Sequence, residues 1–336
     1  MKAAVLGAGA WGTTFAQVLC DAGTPVTLWA RRASIADAVN NLHENPRYLP
    51  GTGLPATLTA TSDIGAALDG ADLVVLAVTA QTLRECLTGW APLIPDGALL
   101  VSLMKGIEFG SSKRMSEVVL EVLDIPESRV AVVSGPNLAP EIAERQFAAS
   151  VVACSDEMSA RLLQQACHTG YFRPYWNTDV LGCELGGTVK NIIALAVGMS
   201  VALGLGDNTK AMLITRGLAE MARLGEVMGA SPRTFAGLAG MGDLVATCSS
   251  SLSRNRRFGE YLGQGRSAAQ AKELTTQTAE GVSSCAPVLE LARKHGVEMP
   301  ITEMVGAVIS GQLSVGDATA ALMSRSAKPE WYGGTE

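Results

Sequence analysis

The sequence predicts an α/β protein in which a doubly wound, mostly parallel sheet is followed by an all-helical C-terminal domain. Up to about residue 175, short β-branched runs alternate with helical segments, which is the pattern of βαβ units. From about Leu181 onward helical periodicity dominates, and no convincing strand is present. With 336 residues and 48% hydrophobic content, the chain can form a core in each of two domains, which we place at residues 1–180 and 181–336.

The N-terminal part contains seven predicted strands. The run Leu73–Val78 is continuously apolar, which is typical of a strand that is covered on both faces. A helix is expected from Thr13 to Asp21, and Gly23 follows its end. The predicted strands are Ala3–Leu6, Val26–Trp29, Thr57–Ala60, Leu73–Val78, Leu99–Leu103, Val130–Val133 and Ala149–Ala153.

Helices are predicted in the C-terminal part at Ala211–Met228, Ala286–His295 and Glu303–Ile309. The longest apolar stretch, Ile192–Leu205, has 14 residues. It is shorter than the roughly 20 residues that span a bilayer. We therefore expect a buried core helix there and no membrane insertion.

Composition restricts the classes of partner. Charged residues make up only 17% of the chain, which excludes intrinsic disorder. The 26 Lys and Arg residues against 32 Asp and Glu residues give a net charge of −6, which argues against nucleic acid and anionic membranes as partners. A small molecule is the expected partner, and an anionic one must be met by a local basic pocket.

Cysteine and histidine usage indicates a cytoplasmic protein without a metal site. The seven cysteines are an odd number and include no CxxC pair, as expected for thiols in a reducing compartment. The apolar run Ala3–Leu6 is too short for a signal peptide. The three histidines lie outside every motif and form no metal-ligand pattern, and we interpret them as structural or surface residues.

The glycine-rich segment 7–12, Gly-Ala-Gly-Ala-Trp-Gly, lies between the first strand and the first helix. In this context Gly7 permits a tight turn, Gly9 lets the backbone approach a pyrophosphate, and Gly12 allows the helix to pack closely. The helix N-terminus favours negative charge. The segment therefore predicts a Rossmann-type dinucleotide site, and residues 1–180 are the dinucleotide-binding domain.

The end of the second strand bears on cofactor choice. An NAD-selective site usually carries an acid here that accepts hydrogen bonds from the ribose, but the sequence continues Trp29-Ala30-Arg31-Arg32. Two guanidinium groups would suit a 2′-phosphate, so we expect NADP(H) to be preferred, with NAD(H) possible. The alternative is a pair of solvated arginines.

Polar residues at strand and helix ends mark a candidate active site. Lys105 follows a predicted strand, and Gly135 and Asn137 follow the next one, at the edge of an open sheet where ligands bind. Lys190 is predicted to start the most apolar helix, where its ammonium must either reach water or take part in chemistry.

Two further polar motifs lie in the C-terminal part. The first is Gly240-Met241-Gly242-Asp243, and the second is Ser253-Arg254-Asn255-Arg256-Arg257. Arg254 by its guanidinium fork and Asn255 by its amide could bind a small phosphate group. Three arginines within four residues are also consistent with a solvated basic face. Nucleic-acid binding is disfavoured, because no aromatic residues are interleaved.

Seven segments of the chain, in order, resemble the bacterial NAD(P)-dependent glycerol-3-phosphate dehydrogenase family. They are GAGAWGT, LMKGIE, SGPN, ELGGTVKNIIALAVG, ITRGLAEM, GMGDLVATC and SRNRRFG, and the resemblance extends from residue 3 to about residue 325. It implies reversible reduction of dihydroxyacetone phosphate to sn-glycerol 3-phosphate, a precursor of glycerophospholipids. It also implies a homodimer, and a helical domain at 181–336 that carries substrate binding and catalysis.

The resemblance assigns roles to individual positions. Lys190 corresponds to the catalytic acid and base, and Lys105 contacts both substrate and cofactor. The substrate-binding positions are Lys105, Gly135, Asn137, Lys190, Asn191, Asp243, Thr247, Ser253, Arg254 and Asn255. The cofactor-binding positions are Gly7, Gly9, Ala10, Trp11, Gly12, Arg31, Arg32, Lys105, Ala139, Arg254, Thr278 and Glu280.

The chain departs from the family pattern at three places. Many relatives carry Ser or Thr at the position of Asn137, an acid and Gly at Val201–Ala202, and Val-Pro-Ser near Val78–Ala80. These changes bear on a substrate hydrogen bond, a helix end and a loop near the nucleotide. None of them removes a predicted catalytic group.

Two alternatives remain open from the sequence. Another two-domain lysine-dependent dehydrogenase, of the 3-hydroxyacid or 6-phosphogluconate type, usually has Asn four residues after the lysine, but residue 194 is Ala and Asn191 is adjacent to Lys190. A non-catalytic NADP sensor would have no need for Lys105, Lys190, Asp243 and the Arg254-Asn255 pair together. An assay with dihydroxyacetone phosphate distinguishes the sensor from the enzyme.

Overall fold

The structure, a computed structural model, describes residues 1–275, 278–327 and 329–330. The strands are β1 Ala3–Leu6, β2 Val26–Trp29, β3 Glu44–Asn45, β4 Leu49–Gly53, β5 Thr59–Thr61, β6 Leu73–Leu76, β7 Leu99–Ser102, β8 Val130–Ser134, β9 Ala148–Cys154 and β10 Phe172–Asn177. The helices of the N-terminal part are α1 Ala10–Asp21, α2 Ala33–Leu42, α3 Ile64–Leu68, α4 Leu83–Trp90, α5 Met115–Leu123, α6 Ala139–Ala143 and α7 Glu157–Ala166. Those of the C-terminal part are α8 Val180–Ala202, α9 Asp207–Val227, α10 Pro232–Ala236, α11 Asp243–Ser249, α12 Arg254–Gly263, α13 Ala268–Glu273, α14 Glu280–Lys294, α15 Pro300–Ile309 and α16 Val315–Met323.

Eight strands form one sheet in the order β10-β9-β8-β7-β6-β1-β2-β5. Neighbouring strands are parallel except for β8 and β9, which pair antiparallel. Six adjacent strands of this sheet, β8-β7-β6-β1-β2-β5, have the strand order of a Rossmann sheet. In that fold the direction of winding reverses between the two central strands, which here are β1 and β6. The predicted fold class, a Rossmann-type sheet followed by a helical domain, is confirmed.

Helices cover the sheet on both faces. Along β1, Ala3 and Val5 pack with Phe15 of α1, whereas Ala4 and Leu6 pack with Leu83 of α4 in a separate core. This alternation follows from the two-residue period of a strand. Because both faces are buried, apolar residues occur at successive positions.

The most evident strand that sequence reasoning missed is β10, at one edge of the sheet. Its segment contains Arg173 and Pro174 and lacks an apolar run. Proline cannot donate a backbone hydrogen bond, and the carbonyl of Pro174 accepts one from the Gln164 side chain. An edge strand tolerates such residues, and they protect it from pairing with another chain. The short pair β3 and β4 was also not predicted, and the strand predicted at Thr57–Ala60 lies instead at Thr59–Thr61.

Helix α8 is the centre of the helical part. Its backbone lies so close to α12 that a Cβ on Gly198 would be 1.9 Å from the Arg256 carbonyl oxygen. A Cβ on Gly259 would be 2.1 Å from the Leu195 carbonyl oxygen. In length and apolar composition α8 resembles a membrane-spanning helix, but 83% of its most apolar window is buried inside the protein. The prediction of a buried core helix is therefore confirmed up to Ala202, whereas Leu203 and Leu205 lie beyond the end of the helix and are exposed.

The predicted start of this helix is wrong. The helix begins at Val180, where the Asp179 side chain caps it by accepting a hydrogen bond from Gly182 N at 2.8 Å. Lys190 therefore lies near the middle of α8. The segment before Lys190 contains Gly186 and Gly187, which weaken a helical prediction made from sequence.

Within the described residues, two ion pairs join the sheet and the helical part. The Arg114 guanidinium at the start of α5 lies 2.6 Å from the Glu184 carboxylate of α8. Lys105, which follows β7, lies 2.6 Å from Asp243 of α11. These contacts fix α8 and α11 against the carboxyl edge of the sheet. The boundary between domains at residue 180 remains a prediction.

Candidate active site

The predicted site residues of the N-terminal part lie in segments that follow parallel strands. Gly7 follows β1, Arg31 and Arg32 come shortly after β2, Lys105 follows β7, and Gly135 follows β8. Since β1, β2, β7 and β8 run in the same direction, these residues lie at one edge of the sheet. This edge is where ligands bind in open α/β sheets.

The glycine loop has little space for side chains at two of its three glycines. Gly7 has a φ of +131°, and a Cβ there would lie 2.4 Å from the Ala77 carbonyl oxygen after β6. A Cβ on Gly12 would lie 2.0 Å from the Gly7 carbonyl oxygen. A Cβ on Gly9 would meet no described atom within 4 Å, so the loop backbone is open at this position.

Four side chains, of Lys105, Lys190, Asp243 and Thr247, form the polar centre of the site. The Lys190 ammonium donates to Asp243 Oδ1 at 2.6 Å and to Thr247 Oγ1 at 2.7 Å. The Lys105 ammonium donates to Asp243 Oδ2 at 2.6 Å and to the Gly135 carbonyl at 2.9 Å. One carboxylate therefore lies between two ammonium groups, and one further N–H remains on each ammonium.

Lys190 is buried, with 6% of its surface exposed, so it does not reach water along the protein surface. Burial lowers its pKa to about 8, because removal from water disfavours the charged amine. The negative charge of Asp243 opposes this shift, and the positive charge of Lys105 adds to it. The group can therefore gain and lose a proton near neutral pH.

The turn after β8 presents an unpaired amide. Gly135 has a φ of +124°, and both polar atoms of the Asn137 side chain are buried without a partner among the described residues. Ala139 starts α6, and its carbonyl accepts a hydrogen bond from Thr14 of α1 at 3.2 Å. This contact holds the turn beside the helix that follows the glycine loop.

The N-termini of α12 and α14 meet α8 through a chain of amides. Asn255 Nδ2 donates to Asn191 Oδ1 at 2.9 Å, and Asn255 Oδ1 accepts from Gly281 N at 3.0 Å. Asn191 in turn donates to the Gly187 carbonyl at 3.2 Å. Each amide group is thus partly used in joining helices, and each Nδ2 keeps one hydrogen for another acceptor.

Ser253 caps α12, because its side-chain oxygen accepts from Arg256 N at 3.2 Å. Its hydroxyl hydrogen can still be donated. The arginines that follow differ from one another. Arg254 lies close to Glu280, whose charge opposes the lowering of the Arg254 pKa by burial. Arg256 pairs with Glu260 at 3.1 Å and donates to the Ser249 carbonyl. The interpretation of these arginines as a uniformly solvated face is therefore wrong for Arg256.

Glu280 connects α14 with the sheet domain. Burial raises the pKa of its carboxyl group, while the charge of Arg254 and a hydrogen bond from the Ala80 backbone oppose that shift. Thr278 is exposed, two residues before Glu280. Glu280 thus lies close to Arg254 at the start of α12.

The region after β2 contains a residue that sequence reasoning missed. Arg31 and Arg32 are exposed, and Arg32 lies 3.5 Å from the hydroxyl of Tyr48. Partial burial raises the pKa of Tyr48, but hydrogen bonds and charge from Arg47 and Arg32 outweigh it and leave the pKa below its ordinary value. No sequence signal places Tyr48 here, since it belongs to the connection between the unpredicted strands β3 and β4.

Other features of the described residues lie outside the polar centre formed by Lys105, Lys190, Asp243 and Thr247. Trp11 Nε1 is buried and has no partner within the described part of the chain. Two adjoining cavities of about 330 and 370 Å³ lie between α9, α15 and α16, and they contain none of the predicted site residues. Within residues 1–275, 278–327 and 329–330, no group of three His, Cys, Asp or Glu side chains could hold a metal ion.

Comparison with known proteins agrees with this architecture. Residues 2–160 match the family described as NAD-dependent glycerol-3-phosphate dehydrogenase N-terminus, and residues 179–320 match its C-terminus. A glycerol-3-phosphate dehydrogenase (NAD(P)+) of Streptomyces griseus is 61% identical over 330 residues, which cover 98% of each chain. The protein of the same description from Thermobifida fusca is 60% identical over 333 residues, 99% of each chain.

Solved structures give the same result. The crystal structure of glycerol-3-phosphate dehydrogenase from Coxiella burnetii has a TM-score of 0.91 at 40% identity, covering 96% of this chain and 99% of that chain. A ketopantoate reductase of Ralstonia eutropha, with a TM-score of 0.59 at 17% identity, shares the fold alone. The resemblance inferred from the seven sequence segments is confirmed, and the chain belongs to the NAD-dependent glycerol-3-phosphate dehydrogenase family.

Proposed function

We propose that the chain catalyses the reversible NAD(P)H-dependent reduction of dihydroxyacetone phosphate to sn-glycerol 3-phosphate, with Lys190 as general acid and base. The observation that carries the proposal is the buried Lys190 ammonium, of which two N–H groups are bound by Asp243 and Thr247. Its third N–H is available for a substrate carbonyl oxygen. Reduction of a ketone needs a proton at that oxygen, and Lys190 delivers it.

Asp243 and Thr247 orient the acid. Since Asp243 Oδ1 and Thr247 Oγ1 hold the ammonium from two sides, the remaining N–H has a fixed direction. Thr247 also donates to Asp243 Oδ1 at 3.2 Å, which uses the hydrogen of its hydroxyl group. Such preorganisation avoids reorientation during the reaction.

Lys105 contributes positive charge. Two ammonium groups and one carboxylate leave a net charge of +1 at the centre of the site when both lysines are protonated. This charge stabilises the oxygen that becomes negative during reduction. The free N–H of Lys105 and the unpaired amide of Asn137 bind the polar groups of the substrate.

The substrate phosphate binds at the N-terminus of α12. Arg254 supplies a guanidinium group, and Ser253 and Asn255 supply a hydroxyl and an amide hydrogen. The N-terminus of this ten-residue helix adds a partial positive charge. Phosphate binding there holds the carbonyl group against Lys190.

The residues at the sheet edge suit a dinucleotide. The nicotinamide cofactor supplies the hydride when bound. Gly7, Gly9 and Gly12 with Ala10 form the cradle for its pyrophosphate, and the buried Trp11 Nε1 is a donor without a partner among the described residues. Ala139, Lys105, Arg254, Thr278 and Glu280 line its remaining length. Arg31 and Arg32 favour NADP(H) over NAD(H), although both cofactors can bind.

A spectrophotometric assay tests the function. The purified protein should oxidise NADPH rapidly with dihydroxyacetone phosphate and far more slowly with unphosphorylated dihydroxyacetone. An NADP sensor would leave the absorbance unchanged. Oxidation of 3-hydroxyacids or 6-phosphogluconate in preference to sn-glycerol 3-phosphate would assign the chain to another lysine-dependent class.

By family membership we extend the proposal to the context of the reaction. The product is a glycerophospholipid precursor, the location is cytoplasmic, and the chain forms a homodimer. Sedimentation equilibrium of the purified protein should give the mass of two chains. The mass of a single chain would contradict the dimer without affecting the proposed reaction.

A further inference from the structure

A π turn, Leu238–Gly242, leads directly into Asp243. Gly242 N donates to the Gly237 carbonyl at 3.1 Å, five residues earlier, and Asp243 then starts α11. Such wide turns inside helical segments occur frequently at functional sites. The turn therefore determines the position of the Asp243 backbone, from which the carboxylate extends.

The π turn lies directly against α8. A Cβ on Gly186 would be 2.4 Å from the Ala239 carbonyl oxygen and 3.1 Å from its carbonyl carbon. Ordinary contact begins at 3.4 Å, so a Cβ would require a shift of about 1.0 Å, the difference between 3.4 and 2.4. Gly186 precedes Lys190 by four residues, which places both on the same face of α8.

The opposite side of the turn is equally closed. A Cβ on Gly240 would be 2.1 Å from the Phe235 carbonyl oxygen and 2.4 Å from its Cα. Both contacts are with backbone atoms, which cannot rotate away as a side chain can. The turn is therefore held between α8 and α10, with room for hydrogen atoms only.

We infer that Gly186 and Gly240 are positioning residues, whose lack of a Cβ lets the π turn place the Asp243 carboxylate between Lys105 and Lys190. This inference rests on the proposed function. Both carboxylate oxygens lie 2.6 Å from an ammonium nitrogen, and Asp243 is 1% exposed. A displacement of about 1 Å cannot keep both contacts, and such a displacement can reduce turnover on the order of 10²-fold.

The displacement has a specific effect on proton transfer. The titratable groups that act on Lys190 are Asp243 and Cys248 of α11 and Lys105 after β7. Asp243 is the strongest of the influences that raise the pKa of Lys190. Moving the carboxylate away therefore lowers the pH at which Lys190 loses its proton. A variant that is merely less stable has no reason to change this pH.

The test compares two Gly→Ala variants that differ in the space available. Gly186→Ala introduces the clash with Ala239, whereas Gly242→Ala places its Cβ 3.5 Å from Leu238 Cδ2, in ordinary contact. Measured as kcat and its pH dependence, Gly186→Ala should lose about 100-fold in kcat. Its rate of reduction should also decline at lower pH than in the wild type. Gly242→Ala should match the wild type in both readouts.

The outcomes separate this inference from the proposed function. If the wild type does not reduce dihydroxyacetone phosphate, the proposed function fails. If the wild type is active and Gly186→Ala has the kcat and pH profile of Gly242→Ala, the positioning role is overturned and the function stands.

If Gly186→Ala does not fold, Gly240→Ala tests the same turn from its other side. Should both be insoluble, hydrogen exchange of the wild-type chain decides. The inference expects slow exchange at the Gly242 amide. Exchange at the rate of an unstructured peptide would overturn it.

Discussion

At the scale of single residues, the proposed chemistry depends on Lys190, which is buried and lies against the charged groups of Asp243 and Lys105. Desolvation lowers the pKa of Lys190 to about 8, and Asp243 prevents it from falling further. An unperturbed lysine, with a pKa of about 10.4, would be a poor base near neutral pH. Burial in the middle of α8 therefore gives Lys190 a pKa that suits the proposed acid and base role in both reaction directions.

This pKa predicts opposite pH dependences for the two directions. Reduction uses protonated Lys190, so its kcat/KM should be level below about pH 8 and decline about tenfold per pH unit above it. Oxidation of sn-glycerol 3-phosphate uses the neutral amine and should rise over the same range. Parallel profiles in both directions, or a midpoint near that of free lysine, would contradict the assignment.

Arg254→Ala should discriminate between phosphorylated and unphosphorylated ketones. Loss of a charge-assisted hydrogen bond of about 1.5–3 kcal/mol should reduce kcat/KM for dihydroxyacetone phosphate about 10- to 100-fold. Unphosphorylated dihydroxyacetone should be little affected. Arg257→Ala is the control, because Arg257 is exposed and donates to the Ser251 carbonyl. Equal losses for both ketones would indicate that Arg254 acts only through the cofactor or the structure and does not bind the substrate phosphate.

Cofactor preference should depend on the arginines after β2. If one guanidinium binds the 2′-phosphate, wild-type kcat/KM should favour NADPH over NADH by about 10- to 100-fold, and added salt should reduce the preference. Arg31→Ala and Arg32→Ala should each be measured with both cofactors. A wild-type ratio near one that neither substitution changes would leave both arginines as surface residues.

At the scale of elements, the sequence predicts the bounds of a strand or helix best where its run of apolar residues is unbroken. Strand β1 lies at the predicted residues, because a buried parallel strand is continuously apolar. β10 lacks this signal, since an edge strand carries exposed residues. The start of α8 is also hidden, because its first turns contain Gly182, Gly186 and Gly187, whose role is close packing that only the tertiary structure reveals.

The cap of α8 can be tested by its contribution to stability. Asp179 accepts hydrogen bonds from Gly182 N, Ser231 N and the Thr234 hydroxyl, so it joins the starts of α8 and α10. Asp179→Ala should reduce the free energy of unfolding by about 1–3 kcal/mol. Asp156→Ala removes a comparable cap from α7 and should cost less, because Asp156 accepts from Ser159 N of that same helix, whereas Asp179 joins two helices. Urea denaturation of both variants checks this, and an equal or smaller loss for Asp179→Ala would contradict the role.

At the scale of the whole molecule, the site exists only where the two halves of the chain meet. Lys105 and Gly135 come from the sheet, whereas Lys190, Asp243 and Thr247 come from helices. Motif order and resemblance identify these residues without showing that one carboxylate bridges both lysines. The position of the Asp243 carboxylate between the two lysines follows from the packing of the π turn on α8. This packing cannot be predicted from the periodicity of apolar residues in the sequence. Tyr48 was missed for a similar reason, since tertiary structure alone brings it to Arg32.

The central claim is that Lys190 supplies the proton. The most direct test measures both kcat and NADPH binding of the Lys190→Met variant. Methionine keeps an unbranched side chain in the buried position while removing the ammonium group. The account predicts that kcat for reduction of dihydroxyacetone phosphate falls on the order of 10²- to 10⁴-fold while the protein stays folded and binds NADPH as the wild type does. A folded variant that keeps more than about half of the wild-type kcat would contradict the account, because general acid catalysis would then come from another group.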